Sequence, residues 1–263
     1  MPNWVRNHLT IHGERALEVL KSLLTESEEE KGKMEFDFNK IKPMPKELNL
    51  PASRVAQKSA KLFLNSMEEY SEEHIKYAKL FKQAYNGGSF TLIGDEAKTL
   101  MKEIMSCHDF EAEDNSLLFK SHNEVLEMGK RVLDNFAQHG AVDWYGWRHN
   151  NWGTKWNASY TEIPADETAE VYFDTAWSPV RKLMQQLSEQ NPDCKFNYEY
   201  AEEQVAFMTG SFEYEKGKEK GEVFKDYSKP AFETFFRLWG GEDEFTYDEK
   251  AGTYKPIESE NEM

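Results

Sequence analysis

Residues near both ends of the chain alternate between apolar and polar, and this alternation restricts the fold more than any other feature. One face of residues 4–12 has Val5, Asn7, Leu9 and Ile11. The other face has Trp4, Arg6, His8, Thr10 and His12. A period of two is typical of a strand with one buried face. The chain therefore begins with a strand that must pair with others in a sheet.

The rest of the first 45 residues predicts a helix and a second strand. Leucines at helical spacing occur between residues 14 and 24. Phe36, Phe38 and Ile41 then indicate a strand, which the Pro43-Met44-Pro45 turn ends. Residues 1–49 are therefore predicted to be a β-α-β portion of a sheet domain.

The middle of the chain, residues 50–142, changes to a helical period. Ser71 is the predicted cap at a break between two helices. Ser121 and Glu124 form the capping-box pattern of a further helix, which ends near Gly140. Residues 90–93 indicate one short strand. We interpret the whole segment as a mostly helical insertion between two sheet-forming parts.

Strand patterns return in residues 143–240. The alternating segments are residues 156–161, 171–177, 194–200 and 205–214. In residues 171–177, Phe173 and Trp177 lie on the same face of the predicted strand. In residues 205–214, Gly210 is a predicted bulge. Ser178-Pro179 is the predicted start of a helix, as N-cap and first helical residue.

These patterns together predict an α+β fold, in which helices pack on one face of a largely antiparallel sheet. Ferredoxin-like topology is the common template nearest to this order of elements. We expect sheet-forming parts in residues 1–49 and 143–240 and the helical insertion in residues 50–142. An acidic tail with a weak hairpin pattern follows in residues 241–263, and its last residues are expected to be disordered.

The chain is strongly acidic, with 32 Lys and Arg against 48 Asp and Glu and a net charge of −16. This charge works against binding to nucleic-acid backbones and anionic membranes. A net negative charge is typical of a solvated surface. The alternative interpretation is a surface that imitates nucleic acid. The two cysteines, Cys107 and Cys194, match no disulfide scaffold or metal site and are predicted to be reduced thiols. No segment matches a signal peptide or a membrane span, so a cytoplasmic protein is expected.

Motifs at both ends of the chain resemble a phage and plasmid family of unknown function. The N-terminal motifs are Pro2-Asn3-Trp4, Asn7-His8-Leu9-Thr10 and Phe38-Asn39-Lys40-Ile41-Lys42-Pro43-Met44-Pro45. The C-terminal motifs, Trp152-Gly153-Thr154-Lys155-Trp156-Asn157-Ala158 and Phe173-Asp174-Thr175-Ala176-Trp177-Ser178-Pro179, look like that family's YubB-type ferredoxin-like domain. The resemblance implies a ferredoxin-like domain on a mobile genetic element, and hence a protein of the host bacterial cytoplasm. It implies no catalytic residue.

A tryptophan-rich stretch, residues 144–156, contains four of the seven tryptophans. In a structural interpretation, Trp152 and Trp156 fill the core and Gly153 allows a tight turn. In a functional interpretation, side chains of the stretch line a pocket at the sheet edge, where indole faces and amide or ammonium donors suit a nucleotide or a protein partner. The candidate binding residues are Trp147, His149, Asn150, Asn151, Trp152, Thr154, Lys155 and Trp177.

The sequence shows no catalytic constellation. His8 and His12 lie about 13 Å apart on a strand, at roughly 3.3 Å per residue, which is too far to share a metal ion. His149 has no nucleophile motif with it, and no phosphate-binding glycine fingerprint occurs. No metal site and no cofactor are predicted. Tyr172 lies on the face suited to RNA, but its neighbours Glu170 and Asp174 disfavour phosphate.

The sequence therefore favours a binding protein over an enzyme. The leading hypothesis is a phage or plasmid inhibitor that sequesters a host protein, plausibly a basic component of a bacterial defence system, with its acidity steering the encounter. The first alternative is a receptor that holds a small nucleotide in the tryptophan-rich stretch. An RNA-binding module and a nucleotide hydrolase with His149 as base are further alternatives. The sequence does not predict the oligomeric state.

Overall fold

The structure, a computed structural model, describes residues 2–27, 30–50, 54–106, 119, 121–165 and 168–257. The chain divides into two compact units. The sheet unit comprises residues 1–43 and 151–263, and the helical unit comprises residues 44–150. The boundaries thus fall several residues from the predicted ones, at 43/44 and 150/151 instead of 49/50 and 142/143.

Regular elements account for most of the described residues. The strands are β1 (Trp4–His12), β2 (Leu24–Glu26), β3 (Met34–Phe36), β4 (Ser159–Glu162), β5 (Glu170–Ala176), β6 (Lys195–Glu202), β7 (Thr209–Glu215), β8 (Lys218–Val223), β9 (Phe245–Asp248) and β10 (Thr253–Pro256). The α-helices are α1 (Ala16–Ser22), α2 (Arg54–Ser66), α3 (Glu72–Ala84), α4 (Glu96–Met105), α5 (His122–His139), α6 (Trp144–Asn151), α7 (Arg181–Gln190) and α8 (Lys229–Trp239). None of these helices is long and apolar enough to cross a membrane.

The sheet unit is built on a six-stranded sheet in the order β4-β5-β1-β6-β7-β8, with every neighbouring pair antiparallel. The first strand of the chain lies near its centre, where Asn7 pairs with Phe173 on one side and Tyr200 on the other. Helix α7 connects β5 to β6, and β1 lies between those two strands. This is the split β-α-β arrangement of ferredoxin-like folds. The predicted α+β class is confirmed.

The first face of the sheet, to which Val5, Asn7, Leu9 and Ile11 of β1 belong, forms an aromatic core. Phe36 stacks on Phe173 with ring centroids 4.7 Å apart, and Phe38 contacts the same ring edge-on at 5.8 Å. Helix α7 covers the β6–β8 side through buried Leu183 and Leu187. Aromatic rings bury large areas, so a chain with few aliphatic residues can still form a stable core.

The second face is covered only in part. Helix α8 packs its phenylalanines around Ala201 of β6, with Tyr172 of β5 at the margin. The prediction that helices lie on one face of the sheet is therefore wrong, because α7 and α8 cover opposite faces. The rest of the second face, from His8 toward the β7–β8 turn, remains polar and accessible.

A buried hydrogen-bond network anchors the segment after β5. Asn7 on β1 donates from Nδ2 to the Thr175 hydroxyl at 3.0 Å and accepts from the Tyr198 hydroxyl at 2.6 Å. The Tyr198 hydroxyl in turn accepts the backbone N–H of Val180, and Thr175 donates to the Ser178 carbonyl. All of these polar groups have partners, which removes the desolvation cost of burying them.

The same network explains why the predicted helix start at Ser178-Pro179 is wrong. Helix α7 begins at Arg181, and its N-cap position is Val180. The backbone groups of Ser178 and Val180 are already bonded to Thr175 and Tyr198, and the Ser178 hydroxyl donates to the Gly153 carbonyl instead of capping a helix. Tertiary contacts thus override a local capping pattern.

Two other strand predictions also need correction. The strand predicted for Phe36–Ile41 ends at Phe36, because the Asp37 carboxylate accepts the backbone N–H of Asn39 and starts a 3-10 turn over Phe38–Lys40. Gly210 is not a bulge, since β7 pairs in continuous register on both sides of it. Glycine is required there because a Cβ would lie 2.8 Å from the ring of Tyr200.

The predicted acidic tail is structured through residue 257. Strands β9 and β10 form a hairpin whose turn contains Gly252. Phe245 and Tyr254 contact the rings of Phe232 and Phe236 on α8, at centroid distances of 5.2–5.5 Å. The hairpin is therefore part of the α8 core. The disorder predicted for the last residues falls on 258–263, outside the described residues.

The helical unit consists of α2–α5 around an apolar core, together with most of α6. Ser71 caps α3, and Ser121 with Glu124 forms the predicted capping box of α5, which ends at the left-handed Gly140. Gly129 of α5 packs directly on the backbone of Ser59 in α2. The strand predicted for residues 90–93 is absent from the structure, where these residues are irregular.

Candidate binding site

The predicted site residues fall in both units. Trp147, His149 and Asn150 belong to the helical unit, on a helix where a loop was expected. Trp147 is buried, and its backbone N–H bonds to the Asp143 carbonyl at 3.2 Å. The His149 ring contacts the ring of Tyr145 edge-on, with centroids 4.5 Å apart. The buried indole of Trp147 offers no free face to a ligand.

Trp152 belongs to the sheet unit and is completely buried. Its Nε1–H donates to the Lys42 carbonyl at 2.9 Å, and its ring contacts Phe38 with centroids 5.6 Å apart. This is the core position of the structural interpretation. Asn151, at the end of α6, is half-buried.

The loop after Trp152 is bonded to the segment that follows β5. The buried Thr154 hydroxyl donates to the Ala176 carbonyl at 2.8 Å. Gly153 adopts a φ of +90°, and a Cβ there would lie 3.2 Å from the Pro179 carbonyl. The backbone N–H of Trp177 bonds to the Asn3 carbonyl at 3.0 Å. Lys155 and Trp177 therefore lie on two loops that hydrogen bonds from the Thr154 and Ser178 hydroxyls to backbone carbonyls hold together.

Three rings on the surface of the sheet unit form what we call the aromatic patch: Trp4, Trp156 and Tyr160. The Trp4 ring contacts Trp156 at 6.1 Å and Tyr160 at 5.5 Å between centroids. Trp156 is 37% exposed and Tyr160 is 67% exposed. Exposed apolar surface of this kind is typical of an interaction site when it is contiguous.

The local backbone explains why Trp156 and Tyr160 face outward. The Asn157 carboxamide accepts the Phe38 N–H at 2.8 Å, and the Thr161 hydroxyl accepts the Phe36 N–H at 3.0 Å. These two polar side chains turn toward the interior, so the alternating residues point to solvent. Tyr160 also adopts a φ of +48°, a conformation that is uncommon for a bulky residue.

Two further side chains extend the surface next to the aromatic patch. The Lys155 ammonium lies 3.7 Å from the ring centroid of Trp156, a cation–π contact. Trp177, on the neighbouring loop, is 48% exposed and has a φ of +70°. Strained, exposed aromatic residues cluster at functional sites more often than elsewhere.

Charged groups on β1, β4 and β5 border the aromatic patch. Arg6 forms an ion pair with Glu162 at 2.6 Å, and its guanidinium is 3.9 Å from the Asp174 carboxylate. Asp174 is buried, and one of its oxygens has no hydrogen-bond partner. Burial raises the pKa of Asp174 to about 6; Arg6 opposes this shift, and Glu162 and Glu203 add to it.

The buried Asp174 carboxylate should make stability depend on pH. Because the pKa of Asp174 in the folded protein, about 6, lies above its ordinary value of 3.8, the stability that the protonated carboxyl contributes is fully present below pH 3.8 and is lost as the pH rises through 6. Asp174→Asn should remove this loss, so that the variant gains about 2 kcal/mol over the wild type between pH 4 and pH 7. Urea denaturation at a series of pH values measures the difference. A constant difference across that range would show that Asp174 ionises normally.

Sequence reasoning located part of this surface and missed the rest. Lys155 and Trp177 are predicted site residues that lie at it, whereas Trp156 was expected to fill the core. Trp4 and Tyr160 were not proposed as site residues. A usable signal existed for Trp4, since it shares the polar face of β1 with Arg6. The left-handed backbone of Tyr160 has no signature in the sequence.

Comparisons with known proteins bear on this part of the chain. Residues 151–249 match the family model described as the ferredoxin-like domain in Api92-like protein. A comparison with curated proteins finds no match. Among solved structures, the crystal structure of a protein api92 from Yersinia pseudotuberculosis is similar, with 14% identity over 86% of this chain and 99% of that chain and a TM-score of 0.38.

The family match confirms the ferredoxin-like prediction for the C-terminal part of the sheet unit. The matched residues include Trp156, Tyr160 and Trp177, together with β4 to β8, α7 and α8. Trp4, the remaining ring of the aromatic patch, lies outside them.

Proposed function

We propose that this protein is a non-enzymatic binding protein, encoded by a phage or plasmid, that sequesters a host protein. The aromatic patch is the docking surface in this proposal. The observation that supports it is the contact of three rings, two of them substantially exposed, on the surface of the sheet unit.

Tryptophan and tyrosine contribute most of the binding energy in many protein interfaces, because each buries a large, rigid surface and loses little conformational entropy. The patch provides both residue types. The buried hydrogen bonds of Thr154, Asn157 and Thr161 fix the loop and strand that hold Trp156 and Tyr160. A surface that is already ordered binds with a smaller entropic cost.

The chemistry around the patch favours a basic partner. The ring of Tyr160, which is 67% exposed, offers an aromatic face on which an arginine or lysine of a partner can form a cation–π contact. The carboxylate of Glu162 lies on β4 near Tyr160, and the net charge of the chain is −16. A basic host protein, plausibly a component of a defence system, therefore has complementary charge. Its association should slow as ionic strength rises.

The experiment is to purify the tagged protein from its own host and identify co-purifying proteins by native mass spectrometry. The affinity of the identified partner is then measured for the wild type and for Trp156→Ala/Tyr160→Ala. We expect binding to weaken at least about 30-fold, since each ring removed from the centre of an interface costs about 1–2 kcal/mol.

A control is Tyr70→Ala/Ile93→Ala, which removes two apolar side chains from the helical unit that are more exposed than Trp156 and Tyr160. This variant should bind the partner like the wild type. Far-UV circular dichroism verifies that both double variants are folded. Equal affinity of the Trp156→Ala/Tyr160→Ala variant and the wild type would exclude the aromatic patch as the docking surface.

The nucleotide-receptor alternative has less structural support. It depends on Trp147 and Lys155 as binding residues, and Trp147 is buried. The hydrolase alternative assigns His149 as the general base. The His149 ring contacts the ring of Tyr145, and this contact gives no support to a role as a base. We therefore favour the protein-binding function.

A further inference from the structure

A second surface of the sheet unit has a different chemistry from the aromatic patch. It is a cavity of about 740 Å³ on the second face of the sheet. Helix α8 contacts this face at Ala201, near one end of β6, and the cavity lies at the other end of that strand. The residues that line it are His12, Lys195, Asn197, Glu213, Tyr214, Glu215, Lys216, Lys218, Glu219 and Lys220. In a chain with a net charge of −16, a cavity lined by four lysines and three glutamates has a local excess of positive charge.

The sheet register explains why these side chains converge. His12 pairs with Lys195, Lys195 with Glu215, and Glu215 with Lys218. Directly opposed residues of an antiparallel sheet point to the same face, so this row crosses four strands on one side of the sheet. The next row contains Asn197, Glu213 and Lys220.

The β7–β8 turn closes one end of the cavity. Lys216 and Gly217 both have positive φ, as a two-residue hairpin turn requires. The turn is fixed to α7, because the Gly217 N–H donates to the Ser188 hydroxyl and the Gly217 carbonyl accepts from the Gln185 carboxamide, both at 2.9 Å. Lys216 is therefore attached to an ordered backbone.

The carboxylates that line the cavity do not neutralise the charge of all its lysines. Glu219 bonds to Arg181 and to the Tyr214 hydroxyl, which places its charge in a separate ion pair. Glu215 pairs with Lys195 at 3.5 Å. Within the described residues, no ion pair involves Lys216, Lys218 or Lys220. Glu213, opposite Lys220 in the register, is the remaining acidic group.

Three lysines on a short hairpin suit a ligand with closely spaced phosphates. Lys218 and Lys220 are about 6.7 Å apart along β8, so their flexible side chains can reach neighbouring phosphates. An ammonium group binds phosphate as a compact point charge, and the Asn197 carboxamide offers additional donors. The distant carboxylates of the chain are screened at physiological salt, where the Debye length is about 8 Å.

We propose that this cavity binds an oligophosphate anion, through Lys216, Lys218 and Lys220. The shared chemistry is a run of adjacent phosphates, which either the triphosphate of a nucleotide or the backbone of a single-stranded nucleic acid can supply. This site is independent of the aromatic patch and of the protein partner bound there.

The test is isothermal titration calorimetry of the full chain with three probes: inorganic tripolyphosphate, a nucleoside triphosphate and a short single-stranded oligonucleotide. We expect at least one probe to bind, and Lys218→Gln/Lys220→Gln to weaken that binding at least about tenfold. The charge-matched control is Lys225→Gln/Lys250→Gln, two exposed lysines outside the cavity. The control should change the affinity less than about twofold.

A gain of affinity provides a second readout that misfolding cannot imitate. Glu213→Gln removes the remaining carboxylate of the cavity and should tighten binding about threefold. Binding of the two small probes would identify a nucleotide-type ligand, and binding of the oligonucleotide alone would identify a nucleic-acid backbone; either result supports the site. Failure of all three probes to bind, or equal weakening by the control variant, would overturn it.

Discussion

Replacement of Trp152 by alanine is expected to lower the free energy of unfolding of the sheet unit by about 4 kcal/mol. The indole is completely buried, contacts Phe38 edge-on and donates its Nε1–H to the Lys42 carbonyl. The variant would leave a large cavity and a carbonyl without this donor. Both effects destabilise the folded state, and a rigid aromatic core relaxes little to fill the space.

Urea denaturation followed by circular dichroism measures the change. Trp156→Ala is the matched control, because it removes the same ring from a position that is 37% exposed. We expect the control to cost less than about 1.5 kcal/mol, since a partly exposed side chain loses less buried area. Equal losses for the two variants would contradict the core position of Trp152. The chain has two units, so each transition must be fitted separately.

Gly129→Ala is expected to destabilise the helical unit by about 2 kcal/mol. A Cβ at this position would lie 2.1 Å from the Ser59 carbonyl oxygen and 2.8 Å from the Phe63 Cβ. One of these atoms is in the backbone and the other is the first carbon of a side chain. Neither can move by a side-chain rotation, so α2 and α5 would have to separate. Overpacking of this kind costs about 1–3 kcal/mol or more, which exceeds the gain of about 1 kcal/mol in helix propensity.

The control for Gly129 is Gly146→Ala, a helical glycine in α6 with room for a methyl group. Its nearest neighbours would be the Asp143 carboxylate at 3.7 Å and the Ala141 Cβ at 3.9 Å, which are ordinary contacts. That variant should be neutral or more stable by up to about 1 kcal/mol. Thermal melting of both proteins makes the comparison. A stabilised Gly129→Ala variant would show that α2 and α5 do not pack at this distance.

The fold was predictable where the apolar pattern is regular. The period of two in residues 4–12 identified β1, and the capping box of Ser121 and Glu124 identified the start of α5. Both patterns depend on neighbours in the sequence. The prediction based on local capping failed at Ser178-Pro179, because the Ser178 hydroxyl bonds to the Gly153 carbonyl 25 residues away and the Val180 N–H bonds to the Tyr198 hydroxyl 18 residues away.

The candidate site was less predictable than the fold. A tryptophan-rich stretch does not indicate which rings are buried, and the structure buries Trp147 and Trp152 but exposes Trp156. The burial of Trp152 depends on Lys42 and Phe38, which lie far away in the sequence. The lysines of the oligophosphate cavity form no site motif in the sequence, since only the register of β7 and β8 brings them together.

The central position of β1 has a consequence for synthesis of the protein on the ribosome. Asn7 pairs with Phe173 and Tyr200, which follow it by 166 and 193 residues, so the first strand has no partner in the sheet until β5 has been made. At about 5–20 residues per second, this takes roughly 8–33 seconds. The helical unit is complete as soon as residue 150 has emerged. The nascent chain should therefore fold from its middle, with an unpaired apolar strand that chaperones can bind in the meantime.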